Sequence, residues 1–241
     1  MAFTFFFRDA ETLELAIDQM IPAVRRQNQI DIWDAGCAHG PEPYTLAILL
    51  KEKMPQELFD KVRIFATDVD GGFAASVTEG IFAESELRRL PEGFLEKYFR
   101  AIGDSSRYRL IEEIRSKISF SRHDLLSLEP FGRELSLIVC KNVLLHFSEE
   151  QRCKVLRMFH AALRADGLLV TENTQKMPAA LSEIYRPLLC HAQVHAKNAS
   201  SLRQLFRKDP PENIRGPYFG KNIPRVKPDN RSSEKDADEI V

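Results

Sequence analysis

Long apolar runs are missing. No stretch of this 241-residue chain approaches the ~18 residues needed to cross a bilayer, and no charged-then-apolar leader opens it. Membrane insertion and secretion are therefore not expected, and a cytoplasmic location is. Cysteine is scarce: Cys37, Cys140, Cys153 and Cys190 lie far apart and form no C-x-x-C pair. That argues against a zinc knuckle or a thioredoxin-like redox motif and for buried free thiols, so no metal site is expected. Neither sign of charge dominates. With 34 basic and 35 acidic side chains the net charge is -1, too little for the global basic field that nucleic-acid binding leaves in composition. No aromatic-interleaved basic stretch argues otherwise. Internal repeats are absent too. What remains, 44% hydrophobic and 29% charged residues, is the balance of a soluble globular protein with one sizeable domain.

The order of elements can be read from periodicity. Across 9–26, Leu13, Ala16, Ile17, Met20, Ile21 and Val24 form one apolar helix stripe, with Asp9 where an N-cap belongs and Glu11 in the first turn. Ile30-Asp31-Ile32-Trp33-Asp34-Ala35 is a β-type run ending at Gly36, and a helix with proline in its first turn follows over 43–51. Val62-Arg63-Ile64-Phe65-Ala66-Thr67 is a second strand closing on Asp68, with a short helix at 73–77. Strand, glycine turn, helix and strand make a βαβ unit, which implies a parallel sheet. From 81 to 120 a charged stretch, Pro91, the Tyr98-Phe99 pair and Tyr108-Arg109-Leu110-Ile111 indicate an inserted helix and small β-subdomain.

The wound pattern resumes with Lys117-Ile118-Ser119-Phe120 and with Leu135-Ser136-Leu137-Ile138-Val139-Cys140, a continuous apolar run expected of a central strand covered on both faces. Ser148-Glu149-Glu150-Gln151 is a capping-box pattern opening a helix on which Leu156, Phe159 and Leu163 share a face. Gly167 is placed to end that helix before Leu168-Leu169-Val170-Thr171. The folded domain is expected over 1–200, with a loose proline- and charge-rich tail over 201–241, where Arg203, Arg207 and Lys208 either meet an acidic partner or solvate the tail. His191 and His195 are spaced i, i+4 but fit a strand as well as a helix, and are read as structural or exposed.

In an open α/β sheet a ligand lies beyond the carboxyl ends of the strands. The candidates are 34–42, Asp68, Asp124-Leu125 and Lys141-Asn142. Gly36-Cys37-Ala38-His39-Gly40 is a G-x-x-x-G turn, neither a dinucleotide fingerprint nor a phosphate loop. Asp34, Glu42, Asp68 and Asp124 surround it without a lysine or arginine in the turn itself, so polyphosphate is disfavoured. A ligand with ribose hydroxyls, an adenine edge and a cationic centre suits these charges, and S-adenosylmethionine has all three. Asp68 binds the ribose or caps a helix, while Gly36 admits close backbone approach or simply turns the chain. Glu42 binds ligand or favours the helix N-terminus; Asp124 reads the adenine amino group or lies in a surface loop; Asn142 holds the methionine end or a turn.

Three segments together resemble the CheR-type chemotaxis receptor methyltransferases: Gly36-Cys37-Ala38-His39-Gly40-Pro41-Glu42-Pro43-Tyr44-Thr45, Ala66-Thr67-Asp68-Val69-Asp70, and Cys140-Lys141-Asn142-Val143-Leu144-Leu145-His146-Phe147. Phe3-Thr4-Phe5-Phe6-Phe7-Arg8-Asp9 resembles that family's Phe-Phe-Arg segment, and Glu86-Leu87-Arg88-Arg89-Leu90 with Tyr98-Phe99 resembles the start of its inserted subdomain. The resemblance implies a Rossmann-like class I methyltransferase with a doubly wound, mostly parallel sheet. Its implied activity is S-adenosylmethionine-dependent esterification of glutamate side chains, on chemoreceptor cytoplasmic helices or another protein. It implies that Thr4, Arg8, Glu42, Asp68, Asp124, Leu125, Lys141 and Asn142 contact the cofactor, and that Arg8 holds the substrate carboxylate near the transferred methyl.

Departures accompany the matches. His146 stands where the family has tyrosine, Ala2 and Asp124 where it has asparagine, and only Met1 and Ala2 precede the Phe-Phe-Arg segment. The resemblance implies that the family's amino-terminal helical domain, which helps engage receptor helices, is lacking. His146 is accordingly read as a polar wall of the catalytic pocket or as a mark of altered substrate choice. A monomer is expected. A cofactor-binding regulatory module without turnover, and a methyltransferase redirected to a small molecule, are the competing readings.

Overall fold

The run Leu135-Ser136-Leu137-Ile138-Val139-Cys140 forms a strand buried along its whole length, and the main sheet is assembled around it. The computed structural model describes residues 4–103 and 106–198. Its first elements are α1 (Ala10–Val24), β1 (Ile30–Ala35), α2 (Pro41–Lys53), α3 (Gln56–Phe59), β2 (Val62–Asp68) and α4 (Ala74–Glu79). The inserted region follows with β3 (Ile81–Ala83), α5 (Phe94–Tyr98), β4 (Phe99–Ala101), β5 (Arg107–Leu110) and α6 (Glu112–Arg115). The chain continues through β6 (Ile118–Arg122), β7 (Leu135–Cys140), α7 (Glu149–Ala162), β8 (Leu163–Thr171), β9 (Tyr185–Pro187) and β10 (Val194–Lys197). The expected loose tail, with Arg203, Arg207 and Lys208, and position Ala2 lie outside the described residues.

The described strands form a seven-stranded sheet in the order β6-β2-β1-β7-β8-β10-β9 and a three-stranded sheet in the order β3-β5-β4. Strands β6, β2, β1, β7 and β8 run parallel, while β10 is antiparallel to both β8 and β9. The chain is thus a doubly wound, mostly parallel α/β protein of Rossmann-like form. Strand order reverses at β1, so a crevice opens where the ends of β1 and β7 diverge. Period-two alternation explains the apolar run of β7. Leu137 and Val139 join the core beneath α1 and α2, and Ile138 and Cys140 join the core beneath α7 with Trp33 and Phe159. The Trp33 indole N–H donates to Thr67 Oγ1 at 2.8 Å, so the polar atom of a fully buried ring is satisfied.

Helix α2 is buried at every position from Pro41 to Leu50 except Glu42, because it is enclosed rather than half-exposed. The N-terminal segment crosses it: Phe6 packs edge-on against Phe82 at 4.8 Å and Phe99 at 5.7 Å, and the Phe7 N–H donates to Thr45 Oγ1 at 3.0 Å. The three-stranded sheet closes the same side through Phe82, Phe99 and Leu110. Its strands end at Leu110, and Ile118 already pairs with Ile64 in the main sheet, so the insert is shorter than the expected 81–120.

Several local expectations are corrected. Asp9 precedes α1 but is left-handed (φ 49) and makes no side-chain cap, because its carboxylate is turned toward Lys141, 3.6 Å away. Gly167 does not end a helix. Helix α7 stops at Ala162, Leu163 is already extended, and Gly167 lies within β8, where an added Cβ would stand 2.7 Å from the Leu135 carbonyl oxygen. The glycine is required by close approach of two strands at the register shift between Leu135 and Leu137. The capping box is present, with Gln151 N–H on Ser148 Oγ at 3.3 Å and Ser148 N–H on Gln151 Oε1 at 2.9 Å. Cys37 and Cys140 are buried, but Cys153 is half-buried and Cys190 exposed; all four are free thiols. His195 is buried in β10 and His191 lies exposed before it, so the two share neither a helix nor a strand face. Among the described residues no His, Cys, Asp and Glu side chains gather as a metal site, and no helix is long and apolar enough to cross a membrane.

The far edge of the sheet carries an acid-sensitive contact. His160, 2% exposed, stands edge-on to the Tyr185 ring at 5.5 Å with its Nε2 unpartnered, and burial followed by the Lys197 charge pushes its pKa down to about 4. Burial lowers His195 as well. A histidine held neutral contributes stability that is full above its unfolded pKa near 6.5 and is lost as pH falls from there toward 4. Between pH 7 and pH 4.5 the wild-type chain should lose about 2 kcal/mol more of urea-unfolding free energy than His160→Gln does. Equal losses in both would contradict this assignment.

Candidate active site

The ends of β1, β2, β7 and β8 and the first turn of α2 carry four acidic side chains and one buried cation. Asp34, next to last in β1, is fully buried, and neither of its carboxylate oxygens has a hydrogen-bond partner. Burial first, then the charge of Glu42, raises its pKa well above the carboxylate range, against the pull of Lys141. The turn that follows is shaped by backbone. Gly36 (φ 105) and Cys37 both donate N–H to the Thr67 carbonyl, at 2.8 and 3.0 Å. A Cβ on Gly36 would lie 2.2 Å from Val143 Cγ2, so only glycine lets the loops after β1 and β7 approach this closely.

Asp68 ends β2 and is tied to that turn. One carboxylate oxygen accepts the Ala38 N–H and the other the Asp70 N–H, each at 3.0 Å. The adjacent helix turn is capped by Asp70 instead, which accepts the Gly72 N–H at 2.8 Å. A carboxylate has about four acceptor directions, so Asp68 keeps free ones on both oxygens.

Lys141, 1% exposed at its side chain, is the hub of the crevice. Its Nζ donates to the Arg8 carbonyl at 3.0 Å, stands 3.2 Å from Glu42 Oε2 and lies 3.6 Å from Asp9 Oδ2. Glu42 sits in the first turn of α2 with 11% of its side chain exposed; burial raises its pKa, and Lys141 and then Arg8 oppose the rise. The lysine therefore pins the N-terminal segment and α2 to the end of β7. Arg8, 27% exposed at its side chain, is on that segment, and half-buried Thr4 begins it.

The structure thus brings Asp34 within electrostatic reach of Glu42, Lys141 and Asp68, and Glu42 within reach of Arg8 and Asp9 as well, with Asn142 next in chain to Lys141. Asp124 follows β6, is exposed, and accepts the Leu126 N–H at 2.9 Å, while Leu125 is buried. His146 is exposed at the end of a 3-10 turn, within reach of Glu172, whose pKa burial raises. Glu172 is the residue sequence reading missed. It follows β8, is 2% exposed, and accepts the Asn142 N–H on Oε2 at 3.3 Å, and its Oε1 has no partner. The rule that singled out residues after the other parallel strands applies equally to the end of β8.

Residues 2–190 match the family described as the CheR methyltransferase, SAM binding domain. The chain belongs to that family. Its cofactor is S-adenosylmethionine, as the matched domain's description states. An uncharacterized 104.1 kDa protein of the hypE 3′ region of Rhodobacter capsulatus is 39% identical over 179 residues, covering 72% of this chain and 18% of that protein. The chemotaxis protein methyltransferase of Borreliella burgdorferi is 29% identical over 180 residues, covering 71% of this chain and 63% of that one. The chemotaxis protein methyltransferase 2 of Vibrio cholerae is 29% identical over 188 residues, covering 76% and 64%. The chain thus matches less than two thirds of the length of each of these relatives.

The CheR-family crevice fits its cofactor on structural grounds. A buried carboxyl with two unpartnered oxygens calls for a cation or hydrogen-bond donors, which the cofactor's methionine end has. The free acceptor directions of Asp68 match a ribose diol.

Proposed function

We propose that this chain esterifies carboxylates of a protein, with glutamate side chains on the cytoplasmic helices of chemoreceptors as the substrate. The observation that carries the reading is the Asp34 carboxyl, fully buried and unpartnered at the point where strand order reverses, in a chain of the CheR family. In this reading Asp34 and Asn142 hold the methionine end, Asp68 the ribose, and Asp124 with Leu125 the adenine side. Thr4 and Glu42 complete the wall, and Lys141 keeps it closed. When bound, S-adenosylmethionine supplies an activated methyl on a sulfonium centre.

The chain need supply little acid-base help. A glutamate carboxylate, with an ordinary pKa of about 4.3, is ionised at neutral pH, so no residue must remove its proton. What the residues supply is placement and exclusion of water. Arg8, on a segment pinned by Lys141 and Thr45, is suited to hold the acceptor carboxylate, and His146 to form the polar wall opposite.

The test is transfer of labelled methyl from S-adenosylmethionine to a purified receptor cytoplasmic fragment. The expected product carries base-labile label, released as methanol, and Arg8→Ala should lower the rate about a hundredfold if one positioned charge contact is lost. Base-stable label would exclude an ester. Saturable S-adenosylhomocysteine binding without transfer to any protein would exclude this reading in favour of a regulatory module or a methyltransferase acting on a small molecule.

A further inference from the structure

The turn that follows β3 brings a second arginine to the segment that carries Arg8. It is anchored at three points: Leu87 is buried, the Leu90 N–H donates to the Leu87 carbonyl at 3.0 Å, and Glu86 Oε1 lies 3.7 Å from His39 Nε2 in the glycine turn after β1. From this turn the exposed Arg89 places its guanidinium over the Phe5 ring, 3.8 Å from the centroid. Arg8 lies 5.8 Å from the same centroid. Two guanidinium groups from segments far apart in sequence thus share one aromatic ring.

Stacking uses the face of a guanidinium and leaves the N–H donors at its edge for other partners. Arg89 engages none of them: among the described residues it makes no hydrogen bond and no ion pair. The ring also holds a long side chain in one place, so a partner loses less entropy on binding it. Two like charges at one ring repel each other, and an anion brought to Arg89 relieves that repulsion. Its place is not on the reacting carboxylate. Gripping by two guanidinium groups would withdraw electron density from the oxygen that must attack the methyl, whereas a second, unreactive carboxylate carries no such penalty.

We infer that Arg89 is a specificity residue that binds an acidic side chain of the acceptor protein within one helical turn of the methylated glutamate, while Arg8 holds the carboxylate that reacts. The inference rests on the reading that Arg8 faces a protein carboxylate. A glutamate in a neutral stretch engages one of the two cations, and a glutamate among other acids engages both. The acceptor is thereby chosen by the charge around the methylated residue as well as by the residue itself.

The test titrates the S-adenosylhomocysteine-saturated chain into two fluorescent helical peptides and reads anisotropy. Both carry the same central glutamate; one has aspartates and the other asparagines at the positions three and four residues away, which share its helix face. The wild-type chain should bind the aspartate peptide about fivefold more tightly, the size of an exposed charge contact, and the preference should shrink as salt rises from about 50 to about 300 mM. Arg89→Gln should bind both peptides as the wild type binds the asparagine peptide, and Arg8→Ala should weaken both while keeping the preference. A wild-type preference below about twofold, or a full preference in Arg89→Gln, overturns the proposal. So does equal weakening of both peptides by Arg89→Gln, because the arginine would then hold the Phe5 segment or the reacting carboxylate. The wild-type comparison needs no variant to fold. Absence of methyl transfer from S-adenosylmethionine to a bound aspartate peptide counts against the acceptor reading alone, since the preference is still read from binding. Absence of binding to either peptide overturns the proposal.

Discussion

Replacing Lys141 by methionine should lower the unfolding free energy by about 3–5 kcal/mol, the cost of leaving a buried charge without its partner. The side chain is 1% exposed, and no surface pair elsewhere in the described chain is so enclosed. Its removal leaves Glu42 in a buried site that already disfavours the carboxylate, and leaves the Arg8 carbonyl without its donor. Methionine fills most of the volume, so the effect reports charge rather than a cavity. Adding Glu42→Gln to Lys141→Met should recover part of the loss, because the second substitution removes the orphaned carboxylate. Urea unfolding at pH 7.5 measures both. A loss under about 1 kcal/mol would mean the pair behaves as an exposed one and is not the pin described above.

Asp68→Ala should weaken S-adenosylhomocysteine binding by roughly 100- to 1,000-fold. Two effects add. Hydrogen bonds to a charged acceptor contribute about 1.5–3 kcal/mol each, and a ribose diol makes two of them. The same carboxylate also holds the Ala38 and Asp70 N–H groups, so its loss frees a turn in which Ala38 is left-handed (φ 48). Asp68→Asn keeps one good acceptor oxygen and should fall between the two. Calorimetric titration, with circular dichroism to establish that the variant is folded, reads the result. Affinity within threefold of wild type in Asp68→Ala would show that the ribose is held elsewhere.

Much of the frame was legible because its signals are local. The run from Ile30 to Ala35 is short, β-type and ends at a glycine, and β1 has those bounds. Ser148 and Gln151 carry a capping box that needs no tertiary information. What escaped the sequence depends on partners far away in chain. Asp9 resembles an N-cap until Lys141, from the end of β7, attracts its carboxylate. Gly167 resembles a helix terminator until Leu135 lies against it. At the site, Asp34, Glu42, Asp68 and Lys141 could be named from their places after strands or in the first turn of α2. That Lys141 faces inward as a clamp, rather than outward, is a property of packing and was not.

The position of Phe6 between Phe82 and Phe99, with the next residue hydrogen-bonded to Thr45, has a consequence for how such a protein can change. The segment ahead of α1, the first turns of α2 and the three-stranded insert are separated in sequence yet interlock as the cover of one crevice. None of the three can be exchanged for a homologue's version without matching the other two. They are one heritable module distributed over three stretches of gene, so recombination that joins a foreign insert to a native amino terminus should be rarer than recombination that keeps both from the same parent.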